Sequence, residues 1–335
     1  MISLISNSCQ ERDVAAPDQA EKGGLPGFFG TVEESNGLLA ALGAFVLWGL
    51  SPIYFKWMSH ISPFEVISHR VIWSSLFVLL LVMMMRKTRQ LIAVFRDRRK
   101  LLVFLVTTVL IGSNWLTYIW AIANNHILEA SLGYYINPLV NVLLGMLFLK
   151  ERLNRWQTVA ILLAVAAVAI MTVQMGYLPW VSLYLAFSFG FYGLLRKNAP
   201  VDSAVGLVVE TTLLMPFALG FLIYLTLTPV SAPLPEFGGH GFFYDGLSYA
   251  LLIGTGIVTA VPLLLFSVAA KRLKLTTVGL MQYLAPTIQM VLAIYIYDEP
   301  FDSSRLVAFA LIWLGLIVYS VDGLRGRRKA RRAMA

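Results

Sequence analysis

The chain has one cysteine, Cys9, and four histidines among its 335 residues. A single cysteine excludes an internal disulfide and a cysteine metal cluster. The histidines His60, His69, His126 and His240 stand apart, with no HExxH and no other metal-ligand spacing. GxSxG and the P-loop GxxxxGK[ST] are also missing, so no ATPase within this chain powers it, and the sequence reads as a non-enzyme without cofactor or metal. Charge is scarce, at 13% of residues against 58% hydrophobic. That balance is too apolar for a soluble domain and points to an integral membrane protein. The alternating segments of ~10 residues that mark a transmembrane barrel are absent. So is the apolar core of roughly 7–15 residues that a signal peptide would place near the N-terminus.

What is present is a series of apolar stretches of ~20 residues with short polar joints, the pattern of helices crossing ~30 Å of hydrocarbon. Ten spans are expected, approximately at Gly37–Trp57, Phe64–Met85, Leu101–Ala123, Leu128–Leu149, Trp156–Met175, Leu178–Leu195, Ala204–Thr226, Leu247–Ala270, Thr276–Tyr297 and Asp302–Val321. The sixth is short and rich in aromatics. Residues 1–36 mix Glu, Asp, Lys, Pro and Gly and read as a disordered cytoplasmic tail. Residues 229–246 read as an irregular loop, and 323–335 as a basic cytoplasmic tail.

Positive charge gathers in every second joint. Arg86, Lys87, Arg89, Arg96, Arg98, Arg99 and Lys100 follow span two; Lys150, Arg152 and Arg155 follow span four. Arg196 and Lys197 follow span six, and Lys271, Arg272 and Lys274 follow span eight. Joints after odd spans are nearly bare, Lys56 and Arg305 excepted. Even joints and both termini are therefore expected in the cytoplasm. The net charge of +8 is explained by these joints, not by nucleic-acid binding.

The chain repeats itself. Leu128–Arg152 (LEASLGYYINPLVNVLLGMLFLKER) returns 148 residues later as TTVGLMQYLAPTIQMVLAIYIYDEP, without a gap. Tyr135 falls on Tyr283, Pro138 on Pro286, Asn141 on Gln289 and Glu151 on Glu299. At a shift of 141, Gly49 meets Gly190 and Lys56 meets Lys197. The expected fold is all-α, with ten transmembrane helices in two five-helix repeats, residues 37–175 and 176–322. An odd number of spans per repeat inverts the second in the membrane, and such repeats place a solute site near the midplane between the halves.

Several residues could line that site. Tyr134, Asn137 or Pro138, Asn141 and Gly145 share one helical face, and Gln282, Ala285 or Pro286, Gln289 and Ala293 match them. Pro138 and Pro286 each remove a backbone donor and free a carbonyl about a turn earlier. Tyr283 and, on span three, Asn114, Trp115 and Tyr118 complete the set; aromatics there can stack on a planar or cationic solute. The plainer alternative is kinked helices joined by interhelical hydrogen bonds. Arg70 and Glu210 are charges well inside spans and call for a partner or water. Their depths differ by on the order of 10 Å, too far for a direct pair. Two gate contacts are expected instead, Arg70 with Glu129 and Glu210 with Lys271; the alternative is that each charge snorkels to its nearer interface.

NWLTYIWAIANNHILEASLGYYINPLVNVLLGMLFLKERL at Asn114–Leu153, FVLWGLSPIYFKW at Phe45–Trp57 and PLLLFSVAAKRLKLTTVGLMQYLAPTIQ at Pro262–Gln289 resemble the RarD-type, chloramphenicol-sensitive branch of the EamA drug/metabolite transporter superfamily. The resemblance spans Gly37 to Gly323. It implies a ten-helix fold of two EamA repeats in the bacterial cytoplasmic membrane, and secondary transport, usually efflux, of small metabolites or drugs. A channel or membrane-embedded receptor is the rival, although a charged ring or carbonyl filter motif is absent. The expected partners are a small-molecule solute and the lipid bilayer; a homodimer stays open.

Overall fold

A computed structural model describes residues 32–149, 152–197, 201–227, 246–273 and 275–334. Those residues form twelve helices and no strand. Nine stretches among them are long and apolar enough to cross a membrane. In order the helices are α1 (Val32–Lys56), α2 (Pro63–Met84), α3 (Thr88–Arg96), α4 (Arg98–Ala123), α5 (Ile127–Leu149) and α6 (Arg155–Met175). The second half follows as α7 (Trp180–Lys197), α8 (Ser203–Leu227), α9 (Gly246–Arg272), α10 (Leu275–Met281), α11 (Leu284–Tyr295) and α12 (Ser303–Met334). Of the ten expected spans, the short α7 is the one outside the nine; serines, glycines, tyrosines and a terminal Arg196–Lys197 dilute its apolar content.

Local chemistry sets the helix ends. Pro63 opens α2, where a missing N–H costs nothing. Asp97 accepts hydrogen bonds from the N–H groups of Arg99 (3.0 Å) and Lys100 (3.2 Å) and so starts α4. Asn154 and Gln157 form a reciprocal capping box at the start of α6, and Gly176 ends that helix at φ 73°. The basic joint after α2, read from sequence as a plain connection, folds in part into α3. Val94 is buried there, with Leu91 packed beside it, in a cluster that includes Phe104 and Val205. The irregular loop expected at 229–246 lies outside the described residues, apart from Gly246 at the start of α9, as does most of the N-terminal tail; α1 starts at Val32, inside the expected tail. At the other end α12 continues through the basic segment expected as a tail, whose Arg, Lys and Ala are good helix formers.

The repeat is visible in the packing. The first half (α1, α2, α4, α5, α6) matches the second (α7, α8, α9, α10–α11, α12) helix for helix. α2 packs on α8, α5 on α11 and α6 on α12, each against its own counterpart; the pairs α1–α9 and α4–α7 are twins. A methyl group on Gly49 would sit 2.8 Å from Ile288, and one on Gly190 2.9 Å from Val140. These are the same crossing made twice, since Gly49 corresponds to Gly190 and Val140 to Ile288. On the seam the matched rings of Tyr135 and Tyr283 stack, with centroids 6.3 Å apart and planes within 15°. Outward-facing Leu76, Leu80, Phe217, Ile223 and Leu227 present an exposed apolar surface suited to lipid.

The two proline segments do not behave alike. α5 runs unbroken through Pro138, while its counterpart breaks at Gln282 and Tyr283 into α10 and α11. Both prolines remove a donor, so the difference lies in packing. α5 is clamped to α7 across the proline: Gly133 lies so close that an added methyl would meet the Ser182 carbonyl at 2.7 Å, and Asn137 Nδ2 donates to the Ala186 carbonyl at 3.1 Å.

Candidate functional site

The interior polar cluster begins with a proline. Pro52 lies inside α1 and has no N–H to give to the Trp48 carbonyl, four residues earlier. Two side chains fill that place: Ser51 Oγ donates at 2.7 Å and Gln289 Nε2 at 3.1 Å. Gln289 Nε2 also donates to the Tyr118 hydroxyl at 3.1 Å, and that hydroxyl shares a 2.7 Å hydrogen bond with Ser51 Oγ. Gln289 Oε1 is buried without a hydrogen-bond partner. Tyr118 stands edge-on to Tyr134 at 5.7 Å and to Phe55 at 6.2 Å. Helices α1, α4, α5 and α11 meet here, so both repeats contribute.

Arg70 adjoins this cluster from α2. Its guanidinium lies over Trp115, 4.3 Å from the ring centroid, and 5.4 Å from that of Phe55. Nε donates to Thr259 Oγ1 of α9 at 2.9 Å, and Thr259 in turn donates to the Thr255 carbonyl. Arg70, Trp115 and Tyr134 are half-buried. Because α1, α4 and α9 surround Arg70, the surface it keeps faces the bundle interior and not the lipid.

Of the two expected gate pairs, Arg70 with Glu129 is not what forms, because Trp115 and Thr259 hold the guanidinium. Glu129, buried in the first turn of α5, accepts from His126 Nδ1 at 2.8 Å and from the Tyr177 hydroxyl at 3.4 Å. A carboxylate is favoured at that position by the helix dipole. His126 also stacks on Trp120, and its hydrogen bond to Glu129 holds its pKa above the usual value against the opposing effect of burial. Glu210 pairs with Arg196 of α7, Nε to Oε1 at 3.9 Å, and accepts from Thr107 Oγ1 (2.9 Å) and the Tyr192 hydroxyl (3.3 Å). Gly206 makes room for that arginine, since a methyl there would collide with the guanidinium. The Lys271 side chain lies outside the described residues.

The remaining candidates divide. Asn114 and Asn137 are buried and engaged by α7: Asn114 Nδ2 donates to the Leu185 carbonyl (3.1 Å) and to Ser188 Oγ (2.9 Å), and Asn137 to Ala186. Asn141, exposed, donates back to Asn137 Oδ1 at 3.1 Å. Asn114 and Asn137 make the interhelical contacts of the plainer alternative, and the bond from Asn141 stays within α5. Gln282 and Tyr283 occupy the break before α11, and Pro286 offers its carbonyl to Ser131 Oγ at 2.8 Å. Thus α5 meets α11 through Ser131, Tyr135 and Thr287, the last two 2.6 Å apart, and not through Asn137 and Asn141.

Sequence reasoning missed Ser51, Phe55 and Thr259. It also missed Glu299, whose carboxylate accepts the N–H groups of Ile127 (2.7 Å) and Leu128 (2.8 Å) at the start of α5. The signals were present: a Ser-Pro pair in span one, and the repeated terminal glutamate.

Comparison with known proteins agrees with this architecture. The EamA-like transporter family model matches twice, over residues 35–173 and 178–321. A Vibrio cholerae protein named an uncharacterized transporter is 46% identical over 301 residues, 90% of this chain and 97% of its own. Protein RarD of Escherichia coli is 41% identical over 297 residues, 89% and 98% of the two chains. One solved crystal structure aligns over 87% of this chain and 98% of its own with TM-score 0.53 at 19% identity, a likeness of fold alone. Matched along both halves, and similar over most of its length to RarD-named proteins, the chain belongs to the EamA-like transporter family of multi-pass membrane proteins.

Proposed function

We propose that the chain is a secondary transporter that carries a small metabolite or drug outward across the bacterial cytoplasmic membrane by alternating access. The observation that carries this reading is the polar cluster of Ser51, Tyr118 and Gln289 beside Arg70, built by both repeats in the bundle interior. Buried polar groups in a membrane bundle are costly unless they serve structure or a solute. Here Trp115, Tyr118, Tyr134 and Gln289 are the groups that touch the solute, and Asn114 and Asn137 hold α7 against α4 and α5.

The mechanism follows from the seam. Tyr135 and Tyr283 stack on the axis relating the halves, so one repeat can rock against the other about them. Glu299 closes one end by tying the second repeat to the first turn of α5. At the other end Glu210, Arg196 and Tyr192 bind α7 to α8 and, through Thr107, to α4. The basic joints favour the cytoplasmic side for that second end and for both termini. Efflux is the direction the family resemblance implies.

The test is counterflow in proteoliposomes with a panel of labelled solutes. A carrier preloaded with unlabelled solute transiently accumulates label; a channel only equilibrates it, and a receptor moves none. Gln289→Ala and Tyr118→Phe are expected to weaken counterflow while leaving the protein monodisperse. Flux without accumulation for every solute that crosses would sink the carrier reading.

A further inference from the structure

We propose that Arg70 is an anion-binding group and that the solute of this site is a small organic anion with a flat, apolar body. The inference rests on the transporter reading and names its substrate class. A guanidinium carries five N–H donors on one planar fork. In Arg70 one of them, on Nε, is used by Thr259. The flat face is covered by Trp115 and flanked by Phe55. Stacking of that kind fixes the plane and leaves the outer edge, with the Nη donors, directed along it.

Among the described residues no carboxylate pairs with Arg70. The four ion pairs between described side chains join Lys87 to Asp202, Lys100 to Asp97, His126 to Glu129 and Arg196 to Glu210. The phenols of Tyr118 and Tyr134 lie within electrostatic reach of Arg70. A phenol can donate to an anion but does not neutralise a guanidinium in the neutral range. A cation well inside a membrane bundle, oriented by a threonine and an indole and still half-buried, is arranged to receive a negative group. The walls set the rest of the solute: Trp115, Phe55, Tyr118 and Tyr134 surround the charge with aromatic rings, which suit a planar body held by stacking. A structural arginine would have its own carboxylate or would reach for the interface.

Membrane-impermeant probes of opposite charge separate the possibilities. Benzenesulfonate and phenyltrimethylammonium share a phenyl body and differ in charge. The full-length protein, purified in dodecyl maltoside, is expected to melt at higher temperature with benzenesulfonate and not with phenyltrimethylammonium. In Arg70→Gln the apparent affinity for benzenesulfonate is expected to fall roughly ten- to hundred-fold, the range for losing a hydrogen bond to a charged group. Should that variant fail to purify as a monodisperse species, Thr259→Val, which removes the hydroxyl that orients Nε, is expected to weaken benzenesulfonate binding as well. A stabilising shift with the cation alone, no shift with benzenesulfonate, or an undiminished benzenesulfonate shift in Arg70→Gln or in Thr259→Val overturns the inference. Counterflow of the cation in proteoliposomes would then leave the transporter reading standing without it, and absence of counterflow for the whole panel removes both.

Discussion

Replacing Glu299 with alanine isolates a contact that joins the two repeats. Its carboxylate accepts the first two N–H groups of α5, at 2.7 and 2.8 Å, and is 5% exposed. Those N–H groups have no partner within their own helix. Truncation leaves both unpaired, and a buried donor left so costs about 1–3 kcal/mol. The joint before α5 reaches solvent at Asn124 and Asn125, so water can take part of the load and the low end applies, about 2 kcal/mol for the pair. At 1.4 kcal/mol per factor of ten, opening of the first turn of α5 becomes roughly 30-fold easier. Hydrogen exchange of the protein in nanodiscs, read on a peptide covering residues 124–132, measures this directly. Faster exchange confined to that turn is the expected result. Unchanged protection there would mean that α5 is held by its α7 contacts alone, and the clamp between the repeats would be lost as an idea.

Two further predictions concern packing and protonation. Gly49→Ala places a methyl 2.8 Å from Ile288, and Gly190→Ala one 2.9 Å from Val140; as twin crossings they should destabilise by similar amounts, about 1–3 kcal/mol each, read by denaturant titration in detergent. Ile288→Ala in the Gly49→Ala background should recover part of that loss, and a first substitution without effect contradicts the close approach. The His126–Glu129 contact depends on pH. His126 has its pKa raised, first by the hydrogen bond it donates to Glu129, so its contribution is complete below the unfolded value of about 6.5 and is lost as pH rises through the folded value. The difference in melting temperature between the native chain and His126→Gln should therefore be larger at about pH 5.5 than at about pH 8.5, and a constant difference contradicts the assignment.

The legible part of this fold is the part fixed by repetition. Apolar length gives the spans, and the 148-residue shift pairs Tyr135 with Tyr283, which do meet. The shift of 141 pairs Gly49 with Gly190, and the structure makes the same crossing at both. Residues on the seam between the repeats are constrained by the symmetry, so their contacts can be anticipated. Residues off the seam are not. Asn114, Asn137 and Asn141 sit on helices apolar all round, whose sequence does not say which neighbour a polar side chain faces; α7 claims the first two through Leu185, Ala186 and Ser188. Arg70 was expected at Glu129 on grounds of depth and charge. A guanidinium can equally be held by an indole face and a hydroxyl, and no charge rule names those partners. Glu299 was seen as a repeated residue, but its role as a cap to α5 depends on the approach of two distant segments.

The central claim, an interior site between the repeats reached from each face in turn, is tested most directly by thiol accessibility. Ser51→Cys in a Cys9→Ser chain puts one thiol beside Tyr118, and an impermeant methanethiosulfonate ethylsulfonate reagent is applied to right-side-out and to inverted vesicles. Alternating access predicts labelling from both faces. Adding Glu299→Ala should speed labelling from the face opposite the basic joints, because the clamp closes that end. Labelling from one face only, with a ratio that Glu299→Ala does not change, would contradict it.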